Sequence, residues 1–173
     1  MGTAGQTDTD AVWRWLAEVP DPEIPVISLV DLGIIRAVET EGDTLVVTVT
    51  PTYSGCPATT VISLDIEAKL RAEGMEKFRI ERQLSPPWTT DWISADGREI
   101  LKAYGIAPPI DGTAADGDHQ RRVSHLLGNN RNIACPRCAS ADTERISQFG
   151  STPCKAQYRC RTCLEPFDYF KCI

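Results

Sequence analysis

Two cysteine pairs near the end of the chain, Cys135-Pro-Arg-Cys138 and Cys160-Arg-Thr-Cys163, limit what that stretch can become. Each pair places two thiols on one tight turn, and 21 residues separate the pairs. Four thiolates at such spacing surround one tetrahedral ion, with Zn–S distances of about 2.3 Å. The intervening span slightly exceeds the usual interval, which a β-ribbon loop accommodates. Size points the same way. Residues 133–173 number 41, close to the ~40 residues below which an apolar core alone seldom holds a fold. A structural zinc supplies roughly 10–16 kcal/mol. The expectation is a small β zinc-ribbon with Cys135, Cys138, Cys160 and Cys163 as ligands. Iron fits the same cage, and a redox dithiol is the competing reading.

Cys154 and Cys172 are left over in this module. If the strands flanking the second knuckle pair so that Cys160 faces Pro166, equal counting puts Cys154 opposite Cys172. Facing thiols there form a second soft-metal half-site, a redox pair or a packed contact. The chain has seven cysteines, all but Cys56 within its last 39 residues. That clustering reads as metal binding in a reducing compartment rather than as disulfides. No apolar run approaches the ~20 residues of a membrane helix. Met1–Asp10 is polar and acidic, without the pattern of a secretory signal. The expected location is the cytoplasm, with no membrane partner.

Charge separates the chain into parts. Residues 1–110 carry 9 basic against 17 acidic side chains, residues 111–132 carry 3 of each, and residues 133–173 carry 6 against 4. An acidic main domain excludes phosphate-backbone binding as its principal task, so no nucleic-acid partner is expected. The reading is an α+β domain over 1–110, a linker over 111–132 and the ribbon over 133–173. The linker is turn-rich at both ends, with a short helix over 119–127, and its His119 and His125 read as exposed residues rather than ligands.

Within 1–110, Val12, Trp15, Leu16 and Val19 share a helical face that Pro20 ends. Three prolines stiffen the loop Pro20-Asp-Pro-Glu-Ile-Pro25, which displays Asp21 and Glu23. Strands Ile34–Thr40 and Leu45–Thr50 flank Glu41-Gly-Asp43 as a hairpin. Val61, Ile62, Ile66 and Leu70 mark a second helix that Gly74 stops. Pro57 suits its first position, which puts Cys56 at or beside the N-cap, where the dipole and free N–H groups lower a thiol pKa. Lys77–Arg82 alternates as a third strand, and Thr89–Ile93 reads as a short fourth. A last helix starts near Ser94, buries Ile100, Leu101 and Tyr104, and stops at Gly105. Antiparallel hairpins with helices on one face give a two-layer α-β-β-α-β(β)-α domain.

Five motifs now occur in order: Asp21-Pro-Glu-Ile-Pro25, Asp31-Leu-Gly-Ile-Ile35, Thr50 through Cys56-Pro57, Pro86-Pro-Trp88 and Ile106-Ala-Pro-Pro109. Together they resemble the iron–sulfur cluster assembly accessory domains that carry one reactive cysteine. In that family the cysteine turn and the Asp-Pro-Glu loop form the functional patch. The resemblance therefore implies Asp21, Glu23, Thr50 and Cys56 as site residues and iron, or an iron–sulfur cluster, as transient cargo. Phe149-Gly-Ser-Thr-Pro-Cys-Lys-Ala156 and Glu165-Pro-Phe-Asp-Tyr-Phe-Lys-Cys-Ile173 resemble the C-termini of the family of D-type subunits found in phenylacetyl-CoA epoxidase systems. That resemblance implies a maturation factor in aerobic phenylacetate breakdown. Its partners would be the di-iron oxygenase subunits or their flavin/[2Fe–2S] reductase. The chain itself has no paired Glu-x-x-His motif, no glycine-rich dinucleotide loop and no ferredoxin-type cysteine run. A zinc-ribbon adaptor without metal transfer and a thiol oxidoreductase using Cys154 and Cys172 are the alternatives.

Overall fold

A computed structural model describes residues 8–53, 55–110 and 133–171. The linker reading, its helix over 119–127, His119, His125 and Cys172 lie outside the described residues. Packing divides the chain into two compact units, Met1–Trp88 and Thr89–Ile173.

In the first unit, α1 (Thr9–Leu16) begins at Asp8, whose carboxylate accepts the Asp10 N–H at 3.0 Å. It buries Val12 and Leu16, while Trp15 is only half-buried, and the helix ends before Val19 and Pro20. Strands β1 (Ile35–Glu41) and β2 (Thr44–Val49) form the expected antiparallel hairpin. Gly42 turns it at φ +64°, a left-handed value that costs glycine nothing. Helix α2 (Thr59–Ala72) then buries Ile62, Ile66 and Leu70, but leaves Val61, expected on the same face, 44% exposed.

Strand β3 (Phe78–Arg82) returns beside β2 in parallel, so the sheet is mixed, in the order β1-β2-β3. The reason is geometric. A parallel return needs a crossover of a dozen or more residues, and the 14-residue α2 supplies it. Central strand β2 buries Leu45, Val46, Val47 and Val49, so both its faces are covered. Trp88 closes the unit from the far end of the chain segment, donating its indole N–H to the Leu32 carbonyl at 3.1 Å.

In the second unit, Thr90–Trp92 is a 3-10 turn, not the fourth strand expected over Thr89–Ile93. The Thr89 hydroxyl accepts the Asp91 N–H at 3.1 Å, a local bond that favours the turn over extended chain. Helix α3 (Ala95–Tyr104) is capped by Ser94, whose hydroxyl accepts the Gly97 N–H at 2.8 Å, and ends on Gly105 at φ +95°. Leu101 is buried and Ile100 half-buried, whereas Tyr104, expected inside, is 57% exposed.

The four-stranded sheet of this unit has the order β4-β7-β6-β5. It comprises β4 (Ile106–Ala107), β5 (Thr143–Ser147), β6 (Lys155–Cys160) and β7 (Pro166–Phe170). The two residues of β4 follow α3 directly and run parallel to β7, with Ile106 opposite Asp168 and Ala107 opposite Tyr169. Ala107, Ile133, Ala156, Phe167 and Tyr169 form one apolar cluster with Cys135 and Cys160. Tyr158 stacks on Phe167 at 5.8 Å and meets Tyr169 edge-on at 5.7 Å. The sheet is small, and its core ends where the cysteine knuckles begin.

The fold is thus mixed α+β, an α/β unit followed by a ribbon region in which four cysteines converge.

Candidate functional site

The Asp21 loop is built from its own hydrogen bonds. Asp21 Oδ1 accepts the N–H groups of Glu23 at 2.9 Å and Ile24 at 2.8 Å, and Asp21 donates its own N–H to the Ile27 carbonyl at 2.9 Å. Asp21 is only 5% exposed and Ile24 2%. Both residues pin the loop, and Glu23 between them stays half-buried. Prolines on either side remove alternatives to this conformation.

Cys56 lies two residues ahead of the Ala58 N-cap of α2. Pro57 precedes the cap instead of opening the helix, because the Thr59 N–H and hydroxyl both turn back to the Cys56 carbonyl, at 3.3 and 2.8 Å. The helix therefore starts three residues beyond Cys56. The expectation of a lowered pKa is overturned: the Cys56 thiol is pushed up. Burial is the main cause, opposed by the Ala58 N–H, reinforced by the charge of Glu23, relieved in part by Thr59 and raised again by Asp21. Dipole stabilisation fades within the first turn, so desolvation and the carboxylates prevail here. Glu23 and Asp21, more than 30 residues earlier in the chain, act electrostatically on Cys56.

Thr50 ends β2 and donates its N–H to the Ile34 carbonyl at 2.8 Å. Its side chain is 1% exposed, and Thr50 Oγ1 has no hydrogen-bond partner among the described residues. Buried hydroxyls without partners are uncommon enough to require a reason.

In the ribbon, the Sγ atoms of Cys135, Cys138, Cys160 and Cys163 all lie within 4.8 Å of one another. The Cys135–Cys163 and Cys138–Cys160 sulfurs are 3.8 and 3.6 Å apart. A tetrahedron with metal–sulfur bonds of about 2.3 Å has edges of about 3.8 Å. The donor set fits a thiophilic ion without rearrangement. Each knuckle is wound by its backbone: Ala139 donates to the Cys135 carbonyl at 2.9 Å, and the Cys163 N–H points at Cys160 Sγ at 3.4 Å. The N–H of Cys163 is also the leading reason that the Cys160 thiol is drawn down to about 6. At Cys163 the N–H of Glu165 favours the thiolate, but burial and the neighbouring thiols outweigh it and push the group up to about 12. A cation bound among these sulfurs would offset the charge that holds Cys163 protonated.

The register of β6 and β7 differs by one residue from the expected one. Pro166 faces Arg159 and Phe170 faces Lys155, one step away from the expected pairing of Pro166 with Cys160. Cys154 accordingly meets Lys171, whose N–H donates to the Cys154 carbonyl at 2.9 Å. Cys154 is 4% exposed, with Thr152 Oγ1 at 3.0 Å from its sulfur. Sequence reasoning also passes over Lys155, 6% exposed and 3.3 Å from Asp168. Its lysine code gives no sign of burial. No described helix is long and apolar enough to cross a membrane.

Comparison with known proteins identifies the family of both parts of the chain. Residues 9–81 match the family described as iron–sulfur cluster assembly protein, and residues 119–171 match the PaaD zinc beta ribbon domain. The chain is 46% identical over 173 residues to a putative 1,2-phenylacetyl-CoA epoxidase subunit of Escherichia coli, covering 100% of this chain and 98% of the relative. It is 39% identical over 93 residues to an Fe-S protein maturation auxiliary factor of Porphyromonas gingivalis, covering 53% of this chain and 87% of that one. A crystal structure of a domain of unknown function from Bacillus anthracis is also similar, with TM-score 0.49 and 25% identity, covering 53% of this chain and 89% of the other. With a relative this similar matched from end to end, the chain belongs to the PaaD family of phenylacetyl-CoA epoxidase subunits, which joins an iron–sulfur assembly domain to a zinc ribbon.

Proposed function

We propose that this chain is an accessory factor that assists assembly of an iron or iron–sulfur centre in a phenylacetyl-CoA epoxidase system, with Cys56 as the cargo thiol. The observation that carries the reading is that the charges of Glu23 and Asp21 reach Cys56 and oppose its ionisation. Two carboxylates beside a protonated thiol are a poor arrangement for nucleophilic attack, because they oppose the thiolate. The same negative charges favour an approaching cation. An arriving iron ion would displace the thiol proton to gain a sulfur ligand, helped by the negative charge of Glu23 and Asp21. Thr50, implied by the family resemblance, holds a buried hydroxyl without a partner among the described residues. Binding that depends on proton displacement is reversible, which suits a factor that hands its cargo on. The names of the two relatives, one an epoxidase subunit and one a maturation factor, support the same reading.

In this reading the ribbon holds zinc through Cys135, Cys138, Cys160 and Cys163 as a structural ion, and serves as a separate module that docks client proteins. The clients are the oxygenase subunits of the epoxidase or the reductase that feeds it electrons, in the reducing cytoplasm. Changing Cys56 to Ser tests the proposal. The hydroxyl keeps the size of the side chain but supplies no soft anionic ligand near neutral pH. Cells carrying Cys56→Ser should show the ribbon metal and the fold intact, with epoxidase activity and client iron content lost. Full activity at equal protein level would sink the assignment of Cys56 and leave the ribbon as the working part.

A further inference from the structure

The described sheets have four edge strands, and three of them are blunted. Strand β1 is bulged between Ile35 and Ala37, β5 is bulged between Arg145 and Ser147, and β4 is two residues long. Such bulges and short strands are the usual protection against edge-to-edge pairing. Strand β3 has neither. Its five residues pair with β2 without a register shift, from Leu45–Phe78 to Val49–Arg82. The parity of its hydrogen bonds follows from two contacts. Leu45 donates to the Lys77 carbonyl at 3.0 Å, and Gln83 donates to the Val49 carbonyl at 2.9 Å. Odd-numbered residues therefore bond to β2, and Phe78, Ile80 and Arg82 turn their N–H and C=O groups outward.

We infer that the β3 edge pairs antiparallel with the β3 edge of a second copy, on a two-fold axis at Ile80. The strand reads Phe78-Arg-Ile-Glu-Arg82. With Ile80 opposite Ile80 of the second copy, the outward groups of 78, 80 and 82 meet one another. Arg79 then faces Glu81 of the second copy, and Glu81 faces its Arg79. These are the non-hydrogen-bonded positions, where opposed side chains stand closest. Sliding the pair by two residues in either direction sets Arg79 against Arg79 or Glu81 against Glu81. Only the register centred on Ile80 opposes unlike charges throughout. Arg79 already bonds Glu81 and Glu41 at 2.7 Å within one chain, and Glu81 remains 51% exposed to receive a second guanidinium.

The surroundings fit a second copy as well. A groove of about 380 Å³ runs between α2 and β3, lined by Leu64, Arg71, Phe78 and Ile80 among others. Leu64 is 58% exposed there. An isologous pair brings the two Leu64 side chains to the same seam, since a two-fold axis presents one patch to itself. The contact is small, so a weak, concentration-dependent dimer is expected.

Sedimentation velocity on the full chain tests this across a concentration series reaching the millimolar range. The wild type should shift from 19.0 kDa to twice that mass as concentration rises. Arg79→Glu and Glu81→Arg, each alone, should abolish the shift by opposing like charges, and the double variant should restore it. Ile80→Pro removes an outward N–H while leaving the bonds to β2, and it should also stay monomeric. Circular dichroism of each variant verifies the fold. A wild type that stays monomeric throughout, single variants that dimerise like wild type, or a folded double variant that stays monomeric would each overturn the inference.

Discussion

Replacing Thr50 by Val separates stability from function at the proposed site. The Thr50 side chain is 1% exposed and its hydroxyl has no partner among the described residues. Burying a hydroxyl without a hydrogen bond costs about 1–3 kcal/mol in proteins. Valine keeps the branched shape, and the Thr50 N–H bond to Ile34 is unaffected. Thr50→Val should therefore stabilise the first unit by about 1–2 kcal/mol. For a unit of this size each kcal/mol raises the melting temperature by roughly 4–8 °C. If the hydroxyl is held in reserve for cargo, the gain comes with a loss of epoxidase maturation, the usual trade at a working site. Thr90 supplies the control. It is 0% exposed, its hydroxyl is also unpartnered, and it lies in the other unit. Thr90→Val should stabilise without functional loss. Calorimetry and epoxidase activity in cells are the two readouts. Thr50→Val melting at or below the wild type would show that the hydroxyl is already satisfied. A stabilised variant with full activity would remove Thr50 from the site.

Two further outcomes follow from the thiols. Glu23→Gln should speed alkylation of Cys56 by iodoacetamide near neutral pH, because it removes a charge that raises the thiol pKa; mass spectrometry against pH should place the variant's rate curve at lower pH, and an unmoved curve would refute the contact. Cys138→Ser should release the ribbon ion and dissolve the β5–β6–β7 sheet together with the β4 pairing, while the first unit keeps its melting transition; metal analysis that finds no ion in the wild-type chain would contradict this.

What was legible in the sequence was local. Ser94 and Gly105 bracket α3 because a cap bond and a left-handed residue are decided within four residues. The Gly42 hairpin and the two cysteine knuckles are legible for the same reason. What was not legible depends on partners far along the chain. Nothing in Lys77–Arg82 states that it lies parallel to β2 rather than antiparallel to it. Ile106 and Ala107 look like the loop after a helix until β7 arrives to pair with them. The β6–β7 register turns on one residue, and Leu164, in the connecting turn at φ +65°, carries no code for that conformation. A one-residue slip changes which side chains meet, and it puts Lys171 beside Cys154.

The helix start at Cys56 is the most instructive difference, because it reverses the direction in which the thiol pKa was expected to move. Pro57 suggests a helix starting at once, and a cysteine on a helix start is an activated nucleophile. The backbone instead makes a turn first, with Thr59 bonded back to the Cys56 carbonyl, and α2 opens behind it. Set back from the helix start and half-buried, with the charges of Glu23 and Asp21 acting on it, the thiol ionises less readily than a free cysteine. A site that keeps its sulfur protonated until a cation arrives discriminates against electrophiles and oxidants, which require the free thiolate. It discriminates in favour of metal, which offsets the charge of all three groups at once. On the proposed function, the acidic loop that opposes ionisation of Cys56 also favours a cation there.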